Sequence, residues 1–228
     1  MLKTKLSLII FILVYAYSFL WNQINLSLSS FGQDKVPVTL VENQDIQQLL
    51  SNETGSEINA VTIFETPHPF GMMIGIPTKP LLVLSRGLYE TFSQDEMEYV
   101  VLHEAGHYVL WHGVIELVVG LILLVIGIVT LRKIKSIKKS LLVSVLIGLL
   151  FGALMIQLGR AHELQTDNYA LRKMNNPNGM IEATKKFRDY HGDKYSLSPN
   201  PLMQFLFYRG NPYDNRIKMA ELEIEKRK

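Results

Sequence analysis

Cysteine is absent from the 228 residues, so disulfides and thiolate metal sites are excluded, and any metal must rest on histidine and carboxylate. Charge is scarce too. Only 19% of residues are Asp, Glu, Lys or Arg against 48% that are hydrophobic. That balance is too apolar for an ordinary soluble domain and too polar for a chain made wholly of membrane helices, so a mixed protein is implied. An excess of either sign is also missing. The formal net charge is +2, and the basic residues gather where membrane topology would put them rather than along one polar face, which leaves no case for a nucleic-acid partner. Internal repeats and long low-complexity tracts are lacking, and the length suits a single catalytic unit.

What is present begins with three apolar runs, at 6–21, 114–131 and 141–158. The second and third are each about long enough to cross a hydrocarbon core of roughly 30 Å as a helix. They predict a transmembrane hairpin, since a soluble core would have to cover such runs on every side. The first run follows Lys3 and Lys5 and is read as an uncleaved anchor; Tyr17, Phe19 and Trp21 crowd the weak small-residue cleavage site that a secretory signal would need. The loop Arg132-Lys133-Ile134-Lys135-Ser136-Ile137-Lys138-Lys139 is expected in the cytoplasm by its positive charge. Lys3 and Lys5 point the same way. Three spans, a cell-membrane location and an extracytoplasmic placement of residues 27–113 and 159–228 follow. Glu116, near the outer end of the second run, is expected to be an interfacial, solvated carboxylate.

The soluble parts predict a small sheet. Residues 36–41 and 60–64 carry the branched side chains of strands, and 81–85 is a third run of strand length. Residues 42–51 have helical spacing, while the Pro- and Gly-rich 67–80 is expected to be loop or turn. Ser93 and Glu96 form a capping box that opens a helix toward residue 103. Further helices are expected over 162–174, 181–190 and 216–226. The organisation is then an anchor at 1–28, a catalytic part at 29–113, the hairpin at 114–158 and a second catalytic part at 159–228.

His103-Glu104-Ala105-Gly106-His107 sets two imidazoles four residues apart on one helical face, as two ligands of a shared metal require. Glu104 lies one residue round the helix, where it can reach a water at the metal without binding the metal itself, the position of a general base. A catalytic zinc needs a third protein ligand. Glu163 is the candidate, because the hairpin returns the chain beside Gly113 just where its helix starts. Asp167, four residues on, can accept the second ring N–H of a ligating histidine and so set its tautomer. His112 and His162 are expected at the membrane interface and the surface, His68 is expected to be an idle loop residue, and His191 carries no signal.

These residues resemble the HtpX and CAAX-prenyl-protease family of membrane zinc metallopeptidases. The track runs from Asn59-Ala60 through Ser85-Arg86-Gly87-Leu88 and Asp95-Glu96 into the histidine motif, with His112 where the family often carries a histidine. It resumes with Arg160, Glu163, Asp167 and Ala170, with Thr166 where alanine is usual. Asn211-Pro212 and Arg216-Ile217 resemble a His-Pro and Arg-Ile element. The resemblance covers roughly 59–113 and 159–220. It implies endopeptidase activity, one Zn2+ per chain and a gluzincin-like fold, with the strand at 60–64 as the edge that binds substrate. It also implies that what the family's late histidine does for the oxyanion must come from Asn211, Arg216 or elsewhere, while Arg216 is expected first as a salt-bridge partner of Asp167. The HtpX branch has two anchors before the domain and a cytoplasmic site, unlike this charge pattern, and three spans cannot build the many-helix chamber of the prenyl proteases.

The sequence therefore predicts an α+β membrane protein: a small sheet on a zinc-binding motif helix, with an N-terminal anchor and a transmembrane hairpin inserted in the catalytic domain. Its expected partners are a protein or peptide substrate and the lipid bilayer. A catalytically silent zinc-binding sensor or assembly factor is the alternative, and the intact Glu104 speaks against it.

Overall fold

The structure, a computed structural model, describes residues 9, 11–13, 38–76, 79–191 and 209–228. The first strand, β1 (Val38–Val41), leads into α1 (Gln44–Thr54), then β2 (Val61–Phe64), β3 (Gly71–Ile76) and β4 (Lys79–Ser85). A short α2 (Arg86–Thr91) and the motif helix α3 (Gln94–Val109) follow. The apolar pair is α4 (His112–Arg132) and α5 (Ile137–Lys173), and α6 (Asn178–His191) and α7 (Tyr213–Arg227) complete the chain.

The strands form a mixed sheet in the order β1-β2-β4-β3, with β2 and β4 parallel and the outer pairs antiparallel. Side chains two apart on a strand share a face. Val61 and Ile63 on β2, with Leu82 and Leu84 on β4, are accordingly all fully buried, in one core with Val100, Val101, Leu102 and Ala105 of α3. Two expectations need correction. Residues 67–80 are not only loop, because Met72, Met73 and Ile74 pair with Val83, Leu82 and Leu81 as strand β3; the flanking prolines and glycines mask a short apolar run that β4 recruits. The strand at 60–64 is not an edge, since β1 and β4 flank it on both sides. The edge beside α3 is β3.

Helix α3 starts as expected: the Ser93 side chain accepts from the Glu96 N–H and the Glu96 side chain accepts from the Ser93 N–H. It ends at Leu110, and Trp111 then adopts φ 59, a left-handed conformation unusual for a bulky residue. That one residue turns the chain into α4 without a glycine.

Helices α4 and α5 are long and apolar enough to cross a membrane. Their large apolar side chains face outward, Leu121 being 53% exposed and Val125 58%, where a soluble core helix would bury them. Expected as a span plus a separate helix over 162–174, α5 is one continuous helix of 37 residues, about 55 Å long. A bilayer core takes up roughly 30 Å of that, so the remaining turns project into the soluble part. Of the expected anchor, only residues 9 and 11–13 are among those described, and they are helical; the rest of 1–28 lies outside them. Phe11 packs against Phe151 and stands directly over Gly127, tying this segment to the hairpin.

Candidate metal centre

The four-residue spacing on α3 brings Nε2 of His103 and Nε2 of His107 to 3.3 Å. Glu163, on the projecting end of α5, turns Oε2 to within 3.5 Å of the first ring and Oε1 to within 3.4 Å of the second. The three form a group able to hold a metal ion. Donors bonded to a tetrahedral zinc at about 2.0–2.2 Å stand about 3.3–3.6 Å from one another. Nitrogen and carboxylate donors at this spacing fit zinc.

Close approach of the two helices depends on Gly106. A Cβ there would lie 3.1 Å from Tyr169 Cδ1 and 3.2 Å from Thr166 Cγ2, both on α5. Gly106→Leu is expected to push α5 outward and draw Glu163 away from the rings. Zinc retention in a chelator competition should fall by more than about tenfold, the lower end of what disturbing a ligand's support costs.

Asp167 is fully buried and accepts four hydrogen bonds. Its Oδ1 takes the His103 Nδ1–H at 2.9 Å and the Tyr99 hydroxyl at 2.9 Å. Its Oδ2 takes the Asn211 amide at 2.7 Å and Arg216 Nε–H at 2.9 Å. The bond from Nδ1 leaves Nε2 of His103 free toward the metal position. Burial works against a charge on His103, yet the Asp167 and Glu163 carboxylates outweigh it and raise the imidazole to about 10. A metal at Nε2 therefore competes with a proton there. Arg216 also donates from Nη2 to Glu163 Oε2 at 2.9 Å, so it supports one ligand directly and another through Asp167. The Asn211 carbonyl accepts from Asn215 at 2.6 Å. The salt bridge expected between Arg216 and Asp167 is present, and Asn211, the other candidate for the oxyanion, has its described bonds behind the ligands.

Glu104 lies beside this group, on the side of β3, where its Oε2 accepts the Met73 N–H at 3.3 Å. Desolvation raises its carboxyl above the ordinary value; the charges of His103 and His107 work the other way. A raised carboxylate pKa suits a group that must take up and return a proton near neutral pH.

Two expectations fail at the membrane side of the site, the surface place of His162 and the solvated Glu116. His112 is buried, with Nδ1 3.1 Å from Nδ1 of His107 and Nε2 2.9 Å from Gln165 Oε1. His162 is buried rather than superficial and stacks on His112, the ring centroids 3.9 Å apart. Glu116 is not solvated: its Oε1 meets His162 Nδ1 at 3.1 Å and Arg209 Nη2 at 2.5 Å. Burial of all three follows from the closing of α4 on α5, which local spacing does not reveal. His68, expected to be idle, contacts the Tyr190 ring and hydroxyl. Tyr99 was also missed, although its place four residues before His103 puts it on the ligand face.

A helix bearing two imidazoles, a carboxylate brought to them by a second helix and a sheet edge alongside define a metallopeptidase class. The family is independently given by the sequence: the chain belongs to peptidase family M48, whose model matches residues 42–223. The resemblance to the HtpX and CAAX-prenyl-protease group holds accordingly. The fold is similar to that of the S. mikatae Ste24p crystal structure, with a TM-score of 0.65 and 15% sequence identity, covering 96% of this chain and 66% of that one. This chain thus spans just under two thirds of that protein's length, and at that identity the likeness concerns the fold. No curated protein matches the sequence.

Proposed function

We propose that this chain is a membrane-anchored zinc metalloendopeptidase that hydrolyses peptide bonds of protein or peptide substrates, with Glu104 as general base. The observation that carries the reading is the 3.3–3.5 Å triangle of His103, His107 and Glu163 with a carboxyl next to it that is not part of the triangle. When bound there, zinc supplies Lewis acidity and makes a water acidic enough to lose its proton near pH 7. Glu104 takes that proton as the water attacks the carbonyl carbon, then hands it to the leaving amine. His103, His107 and Glu163 hold the ion, Asp167 orients His103, and Arg216 keeps Glu163 and Asp167 in place. Edge strand β3 offers backbone N–H and C=O groups to an extended substrate by strand addition, alongside Glu104.

In the same reading the chain has three spans in the cell membrane. Residues 1–28 are the anchor, 114–158 the hairpin with its basic loop in the cytoplasm, and 29–113 with 159–228 the extracytoplasmic catalytic parts. The test is cleavage of unfolded casein by the purified protein in detergent. Cleavage should stop when 1,10-phenanthroline strips the metal and return when zinc is added back. Undiminished cleavage by protein shown to be zinc-free would sink the proposal.

A further inference from the structure

His103 is backed by a carboxylate, and His107 is backed by a different kind of group. Five residues along a continuous helix lie about 140° round it, so His112 should face away from His107. The left-handed Trp111 breaks the helix and swings His112 back beneath that ring. With a metal at His107 Nε2 and the Gln165 amide oxygen facing His112, the hydrogen-bond polarity has one consistent solution. His107 turns Nε2 toward His103 and Glu163, so its proton sits on Nδ1 and is donated to Nδ1 of His112, 3.1 Å away. The His112 proton is then on Nε2 and is donated to Gln165 Oε1 at 2.9 Å. The ring cannot tilt out of this arrangement easily. It is 2% exposed and lies flat on His162, the two planes 4° apart. His162 is itself held by Glu116, and Glu116 by Arg209.

We infer that His112 is a positioning residue of the metal centre: a neutral imidazole that accepts the His107 Nδ1–H and holds that ring with Nε2 toward the ion, as Asp167 does for His103. A carboxylate in its place would add a fourth carboxylate to Glu104, Glu163 and Asp167 around the site, with Arg216 already bonded to the last two. A neutral acceptor sets the tautomer without that cost. The inference rests on the metal centre proposed above, and its readout is metal binding rather than turnover.

The experiment compares wild type, His112→Phe and His112→Asn by zinc competition against a chromophoric chelator and by the visible spectrum of the cobalt-loaded proteins. Phenylalanine keeps the volume and the stack but accepts nothing. Asparagine sets its Oδ1 where Nδ1 of the histidine was and still accepts. H112F should bind zinc about 10–100-fold more weakly, as loss of a ligand's outer partner does, with an altered cobalt band, while H112N stays close to wild type. Should H112F fail to fold, Gln165→Leu at an exposed position removes the acceptor of the His112 proton and should weaken zinc in the same direction by less. Equal affinity and an unchanged cobalt band in the folded H112F, or in Q165L where that variant stands in, overturn the inference, as does equal weakness of H112F and H112N. A wild type that takes up no zinc overturns the metal centre itself.

Discussion

Glu104→Gln is expected to bind one zinc per chain and to cleave about 10²–10⁴-fold more slowly, the range that a positioned general acid–base group contributes. Glutamine has the same shape, and its amide oxygen can still accept the Met73 N–H that now holds Oε2. None of the three groups at the metal position is altered, so zinc content measured on the purified variant should match wild type. What is lost is a basic oxygen able to take the proton of the attacking water. Among the described residues, no neighbouring carboxylate is free to substitute. Glu163 faces both imidazoles and Arg216, and Asp167 is enclosed by four donors. Single-turnover cleavage of a labelled peptide, scored beside zinc content, checks both halves; normal turnover in the zinc-loaded variant rejects Glu104 as the base.

Glu163→Ala should act the other way round, with metal lost first and activity as a consequence. Losing an outer partner costs roughly 10–100-fold in affinity, so losing a ligand should cost at least about 100-fold. The change also leaves Arg216 Nη2 without the oxygen it holds at 2.9 Å, although Nε keeps Asp167. The fold should survive, because Glu163 lies outside the apolar cluster of sheet and α3. Chelator competition checks the affinity and thermal unfolding checks the fold. Wild-type zinc affinity in this variant would mean that the third donor lies elsewhere, and the closure of the metal position by α5 would be abandoned.

Much of this arrangement was legible one residue at a time. The capping box at Ser93 and Glu96, the four-residue step between His103 and His107, and the step from Glu163 to Asp167 are all local patterns on helices, and helical geometry turns such spacing directly into direction. The strands of 38–41 and 61–64 show as branched runs, and that of 79–85 as an apolar run of strand length. The errors share a cause. Strand β3 exists because β4 offers it a partner, and the strand order follows from crossovers that no run of residues encodes. Glu116 and His162 are 46 residues apart, and His112 and Gln165 are 53 apart. A signal for them did exist: ionisable residues on otherwise apolar spans face a partner far more often than lipid.

By itself the sequence determined the chemistry: no thiolate, two imidazoles on one helical face, a carboxylate between them, and apolar helices long enough to cross a bilayer. Tertiary structure alone decided which groups surround that chemistry. The left-handed turn at Trp111 carries His112 under His107, the missing side chain of Gly106 lets α5 lie against α3, and the unbroken length of α5 brings Glu163 and Asp167 out of the hairpin to the histidines. Side-chain direction along one helix depends on neighbours a few residues away, whereas the meeting of two helices depends on what packs between them.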